Sequence, residues 1–306
     1  MPSEPRRIVS LLPAATEIVA ALGLADRLVG RSHECDEPAA VLGLPPLTAP
    51  RIDPSQPSGS IHEQVSRSTG PLFALDIERL AALKPDLILT QAACAVCAIS
   101  EDEVATAVRT GGVETQVIAL SPASLGDLFR DILTVGEATG RLAEARTVVA
   151  ELQARCDAVN HTVEAGPTSA IIEWLDPPMA AGNWVPEMVR LAGGRDVLGK
   201  EGAHSHWITW ADVAAADPDV VVLIPCGFPL DRVITEARSP AVWPHLETLR
   251  AVREGRAWAV DGHHLFNRPG PRLVDSLEVL AEVLHPGMFS FPATRQFVRN
   301  LAPFRT

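Results

Sequence analysis

Two blocks of this chain recur in the same order in its two halves, and that echo limits the folds open to it more than any other feature. RIVSLLPAATEIVAALGLADRLVG, near the start, reads as a strand, then a helix opening near Pro13 and Thr16 and stopping at Leu-Gly. AIIEWLDPPMAAGNWVPEMVRLAGGRDVLG, past the middle, repeats the pattern with a Pro before a Glu-containing helix and a Gly stop. Downstream, LAALKPDLILT at 80–90 matches VAAADPDVVVLIP at 213–225. In both, a short helix meets Pro-Asp and gives way to an apolar strand; proline ends the helix and imposes extended geometry on the residue before it. LILT and VVVLI are continuously apolar rather than alternating, as parallel strands covered on both faces require.

Between the halves, Leu142, Ala145, Val148, Val149, Leu152 and Cys156 fall at helical spacing with charges opposite them. No turn residue interrupts 141–158, so one helix of about five turns is expected. The expected fold class is α/β: two Rossmann-like lobes joined by one long helix, with a ligand cleft between the lobes. The expected boundaries are 1–138 for the N-terminal lobe, 139–166 for the interlobe helix and 167–306 for the C-terminal lobe.

A formal charge of −12 argues against nucleic acid and anionic membrane surfaces as partners. No apolar run is long enough to span a bilayer. Pro13 interrupts the first apolar segment before it reaches the length of a signal peptide, so a cytoplasmic location is expected, or a periplasmic or extracellular one if a signal has been removed. Five cysteines, an odd number in 306 residues, fit a reducing compartment better than a disulfide framework.

Taken together, RIVSLLPAATEIVAALGLADRLVG, IERLAALKPDLIL, the linking helix, PEMVRLAGG and the closing RPGPRLVDSLEVLAEVLHP resemble the helical-backbone class of periplasmic binding proteins. That class delivers cobalamin, ferric siderophores and haem to ABC importers. Within it the chain is most similar to cobalamin-binding members, in a branch carrying SHECD and CAVCAIS. The resemblance implies non-catalytic binding of a corrinoid, cobalamin being the ligand, by a monomer serving an ABC permease. It also implies an acidic residue on each lobe that docks on the permease. The first matches Glu78; the equivalent place in the second half holds Ala211, with Asp212 beside it.

Three loops following strands hold unusual residues: SHECDEP at 32–38, QAACAVCAIS at 91–100 and DGHHLFNRPGPR at 261–272. Cobalamin needs aromatic walls and hydrogen-bond donors. The residues expected at the ligand are His33, Glu34, Trp184, Trp207, Trp210, His264, Phe266 and Arg268. His33 is a candidate cobalt ligand, and Arg268 either donates to corrin amides or supports its own loop. His263 and His264, if extended, point to opposite faces. Cys35, Cys94 and Cys97 with His33 match the donor set of a four-coordinate zinc site. The same thiols suit an iron–sulfur cluster, a redox pair or simple packing. The alternative function is therefore a cytoplasmic metal, Fe–S or redox protein on this scaffold. No nucleophile–base or phosphate-loop motif is present, which speaks against an enzyme.

Overall fold

The structure is a computed structural model describing residues 4–91, 101–160, 162 and 166–301. The chain divides into two compact units. The first comprises residues 1–56, 63–122 and 126–151; the second comprises 57–62, 123–125 and 152–306.

The first unit carries a parallel sheet. Its strands are β1 (Ile8–Ser10), β2 (Leu28–Arg31), β5 (Leu87–Gln91) and β6 (Gln116–Leu120), in the order β2-β1-β5-β6. Helix α1 (Pro13–Ala21) follows β1, with Pro13 in its first turn, where a missing N–H costs nothing. After β2 the chain makes a small antiparallel pair, β3 (Thr48–Pro50) with β4 (Phe73–Leu75), and α2 (Ser58–Arg67) lies between them in sequence. Helix α3 (Ile77–Leu83) leads into β5, and α4 (Glu101–Gly111) leads into β6. Then come α5 (Leu125–Ala138) and α6 (Leu142–Asn160), the latter an unbroken helix over the stretch read as such from its periodicity.

The second unit is a mixed sheet. At its centre β7 (Thr168–Leu175), β11 (Val220–Leu223) and β12 (Ala257–Val260) run parallel. Strand β8 (Pro178–Ala180) folds back antiparallel on β7 and carries β10 (His206–Trp207) outside it, while the two-residue β9 (Arg195–Asp196) pairs with β7. Between these strands lie α7 (Val185–Leu191) and then α8 (Trp210–Ala216). Helices α9 (Leu230–Ala237), α10 (Trp243–Leu246) and α11 (Arg250–Arg253) separate β11 from β12. Helix α12 (Leu273–Leu284) precedes β13 (Val298–Asn300), antiparallel on β12.

The Pro-Asp echo has a structural cause. Helix α3 ends at Lys84 (φ 46°) and α8 at Asp217 (φ 39°), both left-handed, and a proline follows each. A residue before proline avoids the helical region, so the helix must stop there. The aspartate after each proline then binds the start of the neighbouring strand. Asp86 accepts from the backbone N–H groups of Arg6 and Arg7 (2.8 and 2.9 Å), just before β1. Asp219 accepts from Thr168 N–H and its hydroxyl (2.9 and 2.8 Å), at the start of β7. Each strand entered this way is buried along its apolar run: Leu87, Ile88 and Leu89 in one unit, Val220–Leu223 in the other.

Candidate functional site

In each unit the parallel strands deliver their C-terminal loops to one edge of the sheet, and His33, Glu34, Cys35, His264, Phe266 and Arg268 lie on those loops.

In the first unit, β2 ends in Ser32-His33-Glu34-Cys35. Arg31 folds back over this loop, its Nη1 reaching the carbonyls of Ser32, His33 and Cys35 at 3.0–3.3 Å. The hydroxyl of Thr48, on β3, gathers the rest. It accepts from His33 N–H at 3.0 Å and lies 2.6 Å from His33 Nδ1 and 3.0 Å from Ser32 Oγ. A hydroxyl has one proton to give, so it donates to one of the last two and accepts from the other. His33 Nε2 sits 3.3 Å from Glu34 Oε1 and is itself closed off from solvent. The Nδ1 of the expected cobalt ligand is thus engaged with Thr48, while its buried Nε2 makes no hydrogen bond to the described residues. Its ring also tilts against Phe73, centroids 5.5 Å apart.

Cys35, expected as a metal-binding thiol, lies beneath the loop. It is fully buried, with Thr16 Oγ1 3.0 Å from its sulfur. The Thr16 hydroxyl also reaches Ser10 Oγ at 2.8 Å, so the thiol completes a small polar core under the strand ends. Among the described residues Cys35 belongs to no group of three metal-ligating side chains. Cys94 and Cys97 lie outside the described residues.

In the second unit the 261–272 loop is built around one buried carboxylate. Asp261 Oδ1 accepts from the backbone N–H groups of His263 (3.0 Å) and His264 (2.8 Å) and lies 3.1 Å from His264 Nδ1. Its Oδ2 accepts from Leu230 N–H at 3.2 Å. Burial alone would raise its pKa, but these hydrogen bonds and the nearby imidazole hold the carboxyl below the usual range. The aspartate curls the chain into a turn. His263 and His264 therefore do not point to opposite faces; their rings meet edge to face, centroids 4.8 Å apart. Arg268 is buried, with Nη2 2.9 Å from His263 Nε2. A guanidinium only donates, so His263 accepts there. Asn267 donates to the carbonyls of Ile224 and Gly262, joining this loop to the one after β11.

Two further expected ligand contacts meet each other. Phe266 is fully buried, and its carbonyl accepts from Trp184 Nε1 at 2.7 Å, so both residues tie α7 to the loop. Trp210 opens α8 half-buried, stacked on His245 with centroids 6.1 Å apart and planes 10° apart. Trp207 is different. It is 52% exposed on β10, although β8 and a bond from Ser205 Oγ to Glu173 Oε2 (2.8 Å) hold its strand in place.

The two acids expected to dock a partner occupy matching helices. Glu78 is exposed in the first turn of α3. Asp212, in the first turn of α8, is spent on a capping box with Thr209, accepting from its N–H and hydroxyl at 2.7 Å each. Those bonds lower its pKa. Sequence reasoning missed Thr48, Arg31 and Asp261, which touch the candidate residues. Only Asp261 left a signal, in Asp-Gly followed by two histidines, a pattern that favours a side-chain-capped turn.

The chain is 25% identical over 299 residues to the ABC transporter substrate-binding lipoprotein YvrC of Bacillus subtilis, covering 94% of this chain and 82% of that one. It is 26% identical over 293 residues to a cobalamin-binding protein of Halobacterium salinarum, covering 92% of this chain and 70% of that protein. Among solved structures, a periplasmic heme-binding protein from Pseudomonas aeruginosa superposes with a TM-score of 0.74 at 22% identity, covering 99% of both chains. The family model for periplasmic binding proteins matches residues 8–256. With two α/β units each offering strand-end loops, and that match spanning most of its length, the chain belongs to the periplasmic binding protein family.

Proposed function

We propose that this protein binds a corrinoid without chemical conversion, as the solute receptor of an ABC importer. The half-exposed indole of Trp207, held on a braced edge strand, carries this reading: a flat apolar face open to solvent suits the edge or face of a planar macrocycle. Similarity to a cobalamin-binding relative along nearly the whole chain supports a corrinoid as the first choice. The family and the lipoprotein relative favour a site of action outside the cytoplasmic membrane over the cytoplasmic expectation. Among the described residues no helix is long and apolar enough to cross a membrane. A permease is the protein partner, and Glu78, exposed at a helix start, is the docking acid. Cys35 is buried and belongs to no group of three metal-ligating side chains among the described residues, which favours the corrinoid reading over the zinc, Fe–S and redox alternative.

Titration with cyanocobalamin, followed by calorimetry and by the cobalt-corrin absorption bands, tests the reading. Saturable one-to-one binding at micromolar concentration or tighter is expected, about −8 kcal/mol. Saturable binding of haemin with none of cyanocobalamin would replace the corrinoid by a porphyrin.

A further inference from the structure

Residues 57–62 belong to the second unit, although the chain on either side of them, through Gln56 and from Glu63 to Pro122, belongs to the first. What holds this short stretch is specific. Ser58 is fully buried, and both its N–H (2.8 Å) and its hydroxyl (2.5 Å) donate to the same oxygen, Glu236 Oε1 on α9. Gly59 follows, so close to Asp176 that a Cβ there would lie 2.6 Å from the carboxylate. Two acids thus meet the first turn of α2, where the helix dipole favours negative charge. One turn on, His62 packs its ring edge to face on Trp207, with centroids 4.7 Å apart and planes at 76°. Ser58 and His62 are four residues apart and share one helix face, so the serine pin sets where the imidazole lies.

Trp207 needs such a brace. It is the second residue of a two-residue edge strand and half its surface is open, so its own backbone does little to fix the ring. We propose that His62 is a positioning residue of the ligand site. Pinned through Ser58 to Glu236, it holds the Trp207 indole in the orientation that receives the planar ligand. This rests on the reading of Trp207 as a ligand-facing residue, and it adds the element that makes that face rigid. A preoriented aromatic wall loses less rotamer freedom on binding, which is the source of the expected gain in affinity.

The test measures cyanocobalamin affinity by calorimetry, with thermal unfolding as the control for folding. His62→Ala is expected to weaken binding about three- to tenfold, the scale of one aromatic pair. His62→Phe, which keeps the ring, is expected to stay within about twofold of wild type. Ser58→Ala, which removes the hydroxyl half of the pin, leaves the backbone N–H half and touches neither ring, is expected to shift affinity in the same direction as His62→Ala but by less. In a Trp207→Ala background, His62→Ala is expected to cost nothing more, because its effect passes through the indole. Equal loss in His62→Phe and His62→Ala would overturn the proposal in favour of direct polar contact with the ligand, as would undiminished loss in the Trp207→Ala background. If Trp207→Ala binds cyanocobalamin as wild type does, the ligand-facing reading of Trp207 itself falls. If Trp207→Ala is weak while His62→Ala is normal, only the positioning role falls.

Discussion

At Gly262 a single hydrogen decides whether two loops can meet. A Cβ there would lie 2.1 Å from the carbonyl oxygen of Pro225 and 2.8 Å from that of Ile224, and backbone on both sides leaves nothing free to move. Gly262→Ala is expected to lower stability by about 2–3 kcal/mol, read as a lower urea midpoint. The neighbouring carboxylate gives a pH signature. Asp261 is held below its ordinary pKa, so its stabilising contribution is fully present above the unfolded value of about 4 and fades as pH falls through the lower folded one. Thermal midpoints of wild type and Asp261→Asn should therefore differ most near neutrality and converge on acidification below about pH 4. A constant gap across that range would mean that the charge does not matter. Little of this was legible beforehand. Histidines, arginines and cysteines attract notice because they bind ligands, yet His33, Arg268 and Cys35 each also contact neighbouring protein groups, Thr48, His263 and Thr16. A sequence names donors and acceptors but not whether a nearer partner has already taken them.

Among the elements, those with long continuous patterns were read well and the short ones were not. The periodic stretch at 142–160 and the strands at 87–91 and 220–223, with their apolar residues 87–89 and 220–223, are long or apolar enough to be recognised. The pair β3 and β4 and the arm of β8 and β10 have two or three residues each, too few to show a period. Helix α2, written SGSIHEQVSR, begins with three small residues and has little apolar stripe, so its existence depends on what its first turn binds. The Pro-Asp echo was visible as a motif, but its purpose, binding the start of the adjacent strand, needed coordinates. Asp219→Ala removes acceptors of Thr168 and a partner of Arg250, and is expected to cost about 1–2 kcal/mol in denaturant unfolding. Helix α5 offers the opposite case. Burial raises the pKa of Asp131 to about 6, against the opposing Arg130 charge and a backbone hydrogen bond from Ser121. A carboxyl raised in the folded state loses stability as pH climbs from about 4 through 6. Asp131→Asn should therefore raise the melting temperature at pH 7.5 and leave it unchanged at pH 4; an unchanged melting temperature at both would count against that burial.

For the molecule as a whole, the repeated plan means that each unit brings its own set of strand-end loops, and the two sets are not equivalent. In the first unit Arg31 and Thr48 close the loop at 32–35, whereas the second presents an open indole on β10. The helix starts differ too: Glu78 is exposed on α3, while Asp212 on α8 is taken up in its cap. Glu78→Arg is expected to leave cyanocobalamin affinity unchanged while abolishing uptake in cells supplied with the cognate permease and ATPase. Loss of binding in that variant would move Glu78 out of the docking role. The central claim, a planar metal chelate received at the Trp207 face, meets its most direct test in a crystal structure of the protein grown with cyanocobalamin. Corrin density in contact with the Trp207 indole, with His62 still edge-on behind it, is the expected result. A saturated complex with the ligand elsewhere and Trp207 in solvent would contradict it.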